Sequence, residues 1–292
     1  MLSPSRLRGF LDRIGFTGTA RPDLPTLTAI HRAMLLSVPY ETLHIQLGRP
    51  VSQDVDDLYG KIVERRHGGF CYEMNGVLLA ALTAIGFRVR VMAGAVHREQ
   101  EGESAWRNHM VLLVHLDEGD RLVDAGLGDG FLEPLALAEG TVWQGRMVHR
   151  LERLTEEVWR CRPDPHGSVK SFDFDVTPRR PSDFAARCRE LSTSPSSGFV
   201  RSLMAGTVRP DRYVVLRGRV CAESGPDVPG GRRKRTVADR DDFVATLADE
   251  FGLRFDVAEM DVLWRRACLQ HAEHVAARER RGRRAATDGV VA

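Results

Sequence analysis

Arg65-Arg66-His67-Gly68-Gly69-Phe70-Cys71-Tyr72-Glu73-Met74-Asn75-Gly76 divides this chain into two kinds of pattern. The two glycines let the backbone turn tightly, the cysteine follows at once, and a helix follows the cysteine. Leu78, Ala81, Leu82 and Ile85 give that helix an apolar face, and Gly86 is a natural stop. Upstream the period is also helical: Leu27, Ile30, His31, Met34 and Leu35 precede Pro39, and Val55, Leu58, Ile62 and Val63 follow it. Downstream the period changes to two. Phe87, Val89, Val91, Ala93 and Ala95 alternate with Arg88, Arg90, Met92 and Gly94, as in a half-buried strand. Residues 110–116 are a second strand, Asp117-Glu118-Gly119-Asp120 a four-residue turn, and residues 121–124 the start of a third strand. Short strands and loops continue over 142–174, 192–198 is a loop rich in Ser and Pro, and 212–220 is a strand. Helices are expected at 239–251 and 258–276.

The chain has 292 residues, 42% of them hydrophobic, which is ample for a core. No run approaches the roughly 18 apolar residues that a membrane span needs. Residues 1–14 mix Arg6, Arg8, Asp12 and Arg13 with apolar residues and lack the apolar centre of a signal peptide. A cytoplasmic protein is expected. With 42 basic and 40 acidic residues the net charge is +2, which argues against nucleic acid as a partner. Two basic clusters, Arg232-Arg233-Lys234-Arg235 and residues 278–284, read first as a solvated loop and a solvated helix end or tail; a phosphate-bearing ligand is the second reading of the former. The five cysteines, Cys71, Cys161, Cys188, Cys221 and Cys268, include no CxxC pair, so neither a metal site nor a disulfide framework is expected.

A thiol at a helix start lies at the positive end of the helix dipole, which favours the thiolate. Arg65, Arg66 and His67 are expected to add to that, although the segment also fits a buried, inert cysteine. His109 opens the apolar strand Met110-Val111-Leu112-Leu113-Val114, and Asp124 ends the apolar run Leu122-Val123. A sulfur nucleophile needs a base to take its proton and a third group to orient that base. Cys71, His109 and Asp124 are the right types. The four-residue turn, however, sets Leu113 opposite Asp124 and leaves His109 four residues away, about 13 Å at strand rise. A bulge, a shifted turn or strong twist is needed to close that gap.

Five motifs in order resemble the arylamine N-acetyltransferase family over about residues 5–255. They are His67-Gly68-Gly69-Phe70-Cys71-Tyr72-Glu73-Met74-Asn75, Val38-Pro39-Tyr40-Glu41-Thr42-Leu43, Asn108-His109-Met110, Val123-Asp124-Ala125-Gly126-Leu127-Gly128, and Ser192-Thr193-Ser194-Pro195-Ser196-Ser197-Gly198-Phe199. The resemblance implies an α+β fold with a papain-like cysteine core. A helical bundle over 1–86 would hold Cys71, a β-barrel over 87–200 would hold His109 and Asp124, and an α/β lid with a helical tail would span 201–292. It implies Cys71 as nucleophile, His109 as base and later acid, and Asp124 as the group orienting His109. Tyr40, Phe70 and Val96 match positions lining the acceptor pocket; Gly126 and Thr207 match positions near coenzyme A. The implied reaction moves an acetyl or short acyl group from acetyl-CoA through a cysteine thioester to the nitrogen of an arylamine or arylhydrazine, without metal. A rival within the superfamily is an amide synthase joining a carrier-bound acyl chain to an aryl amine. A homodimer is compatible with either. His67 replaces the motif arginine, Thr42 an asparagine, Tyr40 a phenylalanine, and Cys188 the asparagine usual five residues after Asp183.

Overall fold

The structure, a computed structural model, describes residues 1–288, with side chains described through Arg280. Of the basic tail, the side chains of Arg281, Arg283 and Arg284 lie outside the described residues.

The N-terminal part is helical. Ser3 accepts from the Arg6 N–H to cap Pro4–Ile14, and Gly15 ends it in the left-handed region. Asp23 caps Leu24–Ser37 through the Thr26 N–H at 2.9 Å, and the Val38-Pro39 step stops that helix. Its expected face is the buried one: Leu27, Ile30, His31, Met34 and Leu35. Val55–Tyr59 runs into a π-turn, Gly60–Glu64, which turns Lys61 inward to 5% exposure. Cys71–Ile85 follows, and its apolar face packs among these helices.

The strands are β1 (Tyr40–Glu41), β2 (Arg88–Val96), β3 (His109–Leu116), β4 (Gly119–Val123), β5 (Leu135–Ala136), β6 (Gly140–Gln144), β7 (Met147–Arg153), β8 (Val158–Arg162), β9 (Phe172–Arg179), β10 (Met204–Val208), β11 (Tyr213–Arg217), β12 (Val220–Ser224) and β13 (Arg232–Thr236). Eight form one antiparallel sheet in the order β5-β4-β3-β2-β9-β8-β7-β6. It curls into a near-closed barrel, and Gln144 of β6 bridges the gap by bonding both main-chain groups of Glu133 beside β5, at 3.0 and 2.8 Å. From Met110 to Val114 β3 is apolar because both of its faces are buried there. Met110, Leu112 and Val114 join the helical core, while Val111 and Leu113 join Phe131, Phe172 and Phe174 inside the barrel. The alternation expected along β2 fails in its second half for the same reason.

The β3–β4 turn differs from expectation. Leu116 pairs with Gly119, so only Asp117 and Glu118 form the turn. Gly119, at φ 103°, supplies the left-handed residue that lets the chain return so soon. The register shifts by two: Leu113 faces Leu122, and Asp124, just past β4, falls opposite Val111 on the extended ladder. His109 is then two residues away, about 7 Å at strand rise.

The second sheet, β1-β10-β11-β12-β13, joins the N-terminal segment to the C-terminal one through Tyr40↔Gly206 and Glu41↔Ala205. The strand expected over 212–220 is a hairpin, since Gly218 and Arg219 turn the chain between β11 and β12. Helices Arg240–Phe251 and Val257–Asp288 cover this sheet over Val214, Leu216, Phe243, Leu247 and Leu263.

Candidate active site

The turn before Cys71 is held from several sides. Gly68 lies so close to the preceding strand that a Cβ there would fall 1.8 Å from the Pro39 carbonyl oxygen, which only glycine permits. The Glu41 N–H donates to the Gly69 carbonyl at 2.9 Å, and the Phe70 N–H to Glu73 Oε2 at 3.2 Å. Lys61 Nζ donates to both oxygens of Glu73, at 2.8 and 2.9 Å. It also lies 3.1 Å from Glu41 Oε1, near enough for charge but off the line of a hydrogen bond. All three side chains are buried. Burial pushes Glu41 up, but Lys61, helped by the Leu43 N–H, outweighs it and leaves that carboxyl below its ordinary value; for Glu73 burial wins.

His67 and the two arginines do not act on Cys71 as expected. Arg65 and Arg66 are exposed. The His67 ring meets His44 Nε2 at 2.9 Å and the Arg254 carbonyl at 3.0 Å, and stacks on Phe255. Burial lowers both imidazoles, His44 to about 3, so the pair is a neutral clamp.

Cys71 is the first residue of its helix and 2% exposed. Its Sγ lies 3.8 Å from the Asn108 carbonyl, and no hydrogen bond joins it to His109 in this structure. Burial pushes the thiol well up, with Cys188 and Asp124 adding to the rise; backbone N–H groups of Met110 and Tyr72 oppose it.

His109 Nε2 lies 2.7 Å from Asp124 Oδ2, both side chains being buried. Asp124 Oδ1 accepts from Asn75 Nδ2 and from the Gly126 N–H, each at 2.8 Å. These contacts fix both oxygens of the carboxylate in place. Asn75 also donates to the Met110 carbonyl at 2.6 Å and accepts from the Ala125 N–H at 2.9 Å. It stands one helical turn after Cys71 and ties that helix to the strand of His109 and the loop of Asp124. His31 braces the loop from behind: one ring nitrogen meets the Leu132 carbonyl at 3.0 Å, the other the main chain of Asp124 at 3.2 Å. The residue patterns assigned no role to Asn75 or His31, though each is a polar side chain on an apolar helix face.

Gly126 permits the close approach of this loop, since a Cβ there would sit 2.7 Å from Cys71 Cα. Tyr40 is 95% buried and packs against Gly128. Val96 exchanges hydrogen bonds with the Asn108 side chain at 2.8 and 2.9 Å, fixing the residue before His109. Phe70 is fully buried between the rings of Tyr72 and Phe199. Thr207 is buried in β10, and its hydroxyl donates to the Val208 carbonyl at 3.5 Å. Thr42 binds the main chain of Met204, and Cys188 is buried in the helical core.

A cavity of about 1060 Å³ opens beside the second sheet and the C-terminal helix. The Arg232–Arg235 run is not a loop but the edge strand β13, and strand alternation sorts its charges. Arg233 and Arg235 pair with Glu223 at 3.0 Å and Asp242 at 2.9 Å. Arg232 and Lys234 line the cavity with Arg201, Arg217 and the paired Arg235; among the described residues Arg201, Arg217, Arg232 and Lys234 have no carboxylate partner. Among the described residues, no helix is long and apolar enough to cross a membrane.

The family model described as N-acetyltransferase matches residues 23–260. The chain is similar to an arylamine N-acetyltransferase of Mycolicibacterium smegmatis, 37% identical over 222 residues, covering 73% of this chain and 80% of the relative. It is also similar to a proansamycin X synthase of Amycolatopsis mediterranei, 30% identical over 253 residues, covering 82% and 94%. Among solved structures, Mycobacterium marinum arylamine N-acetyltransferase in complex with CoA matches with a TM-score of 0.79 at 32% identity, covering 89% of this chain and 98% of that one. By sequence and by fold, the chain belongs to the arylamine N-acetyltransferase family.

Proposed function

We propose that this enzyme transfers an acetyl group from acetyl-CoA to an aryl amine through a thioester on Cys71. The observation that carries the reading is the 2.7 Å contact of His109 Nε2 with Asp124 Oδ2 beside a helix-start cysteine. With Nε2 engaged, Nδ1 is the nitrogen left to exchange a proton with the sulfur. Cys71 yields its proton to His109 and attacks the thioester carbonyl. The CoA thiolate departs and takes that proton back. The amine then attacks the acyl-cysteine, His109 receives the proton that nitrogen loses, and the sulfur is released. The first step exchanges one thioester for another; the amide product draws the second forward.

The cavity cations Arg201, Arg217, Arg232 and Lys234, without a carboxylate partner among the described residues, support a phosphate-bearing donor. Gly126, whose missing side chain admits the loop to Cys71, and Thr207 are proposed on the donor side; Tyr40, Phe70 and Val96 on the acceptor side. The three-part division at 86 and 200, a cytoplasmic location and a homodimer belong to the same reading, the last checked by light scattering. An amide synthase using a carrier-bound acyl chain is the second reading, kept because one relative is named a synthase.

The test is incubation with acetyl-, propionyl- and longer acyl-CoA, intact-mass measurement, then a panel of aryl amines. Acetyl labelling of the wild type, absent from a folded Cys71→Ser protein, is expected. Wild-type turnover by Cys71→Ser would remove the nucleophile assignment.

A further inference from the structure

We propose that Asp129 receives an amide N–H of the donor's pantetheine arm, between the acylated sulfur and the phosphates; this rests on the acyl-CoA reading above. Asp129 is 3% exposed and lines the cavity that holds Arg232 and Lys234. Its Oδ2 accepts from the Ser168 N–H, which anchors the 164–168 loop. Its Oδ1 is buried and has no hydrogen-bond partner among the described residues. A buried carboxylate oxygen without a partner is costly, so its retention points to a donor that arrives with a ligand.

Position says which donor. Gly126 abuts Cys71, and Gly128 abuts Tyr40. The segment 126–129 thus touches the thiol at one end and the cavity at the other, a reach of at most about 11 Å. Phosphates are drawn to the cavity's cations and repelled by a carboxylate. The part of an acyl-CoA lying between phosphates and thioester is a neutral arm with two amide N–H groups. Those N–H groups match an acceptor set between Cys71 and the cations. Arg217 faces Asp129 electrostatically without pairing to it, so the oxygen stays available. Burial raises the Asp129 carboxyl, opposed by the Ser168 N–H and by Arg217.

Asp129→Asn tests this. Its amide oxygen keeps the Ser168 N–H, so the loop stays anchored, while an NH₂ replaces the acceptor in the cavity. Cys71 acylation is measured as kcat/KM for acetyl-CoA, for S-acetylpantetheine, which lacks the phosphates, and for p-nitrophenyl acetate, which lacks both features. Relative to the ester, both thioesters are expected to fall about tenfold in the variant. An unchanged ratio would leave Asp129 as a loop anchor alone. A fall for acetyl-CoA only would place it at the phosphates, and a change confined to the acceptor KM would assign it to the amine; either overturns the proposal. Should the variant not fold, the wild type is assayed with S-acetylpantetheine analogues in which ester oxygen replaces one or other amide N–H. About tenfold loss with one of them is expected, and equal rates for all would overturn the proposal. If no thioester acylates the wild type, the acyl-CoA reading itself fails.

Discussion

Asn75 Nδ2 donates to Asp124 Oδ1 at 2.8 Å, while the other oxygen of that carboxylate meets His109 at 2.7 Å. Cys71 and Asn75 share one helix, so this amide carries the position of the cysteine helix to the His–Asp pair. Asn75→Ala would strand the Ala125 N–H and the Met110 carbonyl without partners. A loss of about 2–4 kcal/mol is expected, with acylation reduced as well. Urea unfolding and single-turnover acylation measure the two effects. A stability change under about 0.5 kcal/mol would mean the network is replaceable.

Asp124→Asn should cost far more than its change in shape. Two N–H donors, from Asn75 and Gly126, point at Oδ1. The amide oxygen will settle there and turn its NH₂ toward His109 Nε2. That nitrogen must then accept, which moves the ring proton to Nδ1 and blocks proton transfer from the thiol. In a serine triad the corresponding change lowers rate by about 10⁴. Acylation here is expected to fall at least about 100-fold, and a loss under about tenfold would make Asp124 a structural residue.

The reactivity of Cys71 should depend on His109 below pH 9. Burial disfavours the anion and pushes the thiol up. Ionisation near neutral pH therefore requires the proton to pass to the imidazole. Wild-type Cys71 should react with iodoacetamide at pH 6–7 ahead of a free thiol, whose pKa is about 8.5. His109→Gln leaves only the burial effect, so its reaction should emerge only above about pH 9. Cys188, raised to about 12, and Cys221, raised to about 11, should stay slow in both proteins. Peptide mass spectrometry over that range gives the curves. Matching curves for the two proteins would mean that the thiol loses its proton only at the moment of attack.

Lys61→Met removes the cation between two buried carboxylates. The expected cost is about 3–5 kcal/mol at pH 7. The deficit should shrink toward pH 5. Without Lys61 the carboxyls sit above their unfolded pKa values, so the folded state binds more protons and its stability falls as pH rises. Equal deficits at both pH values would show that the carboxylates find another partner.

The helical N-terminal part and the cysteine helix were legible in the residue pattern, because capping residues and apolar spacing act within a few residues. So were β2 and β3 as strands, and the motifs carrying Cys71, His109 and Asp124. The turn is not legible in this way: Asp117-Glu118-Gly119-Asp120 contains four turn-forming residues, but only the pairing of Leu116 with Gly119 tells how many are used. That register, together with the chain leaving β4 at Asp124, brings the carboxylate to His109. The part of Arg232–Arg235 was likewise hidden. As a sequence it is four like charges; as an edge strand it alternates, two paired with Glu223 and Asp242 and two lining the cavity with no carboxylate partner among the described residues.

By itself the sequence determined the residue types of the site, their order and the elements that carry them, since propensity, capping and period are local properties. Only the tertiary structure decided which nitrogen of His109 meets Asp124, that His67 holds a neighbouring imidazole rather than charging the thiol, and that Lys61, Asn75 and His31 brace the site. Those outcomes depend on burial and on groups 12 to 101 residues apart, such as Lys61 with Glu73 and His31 with Leu132, whose meeting no local pattern encodes.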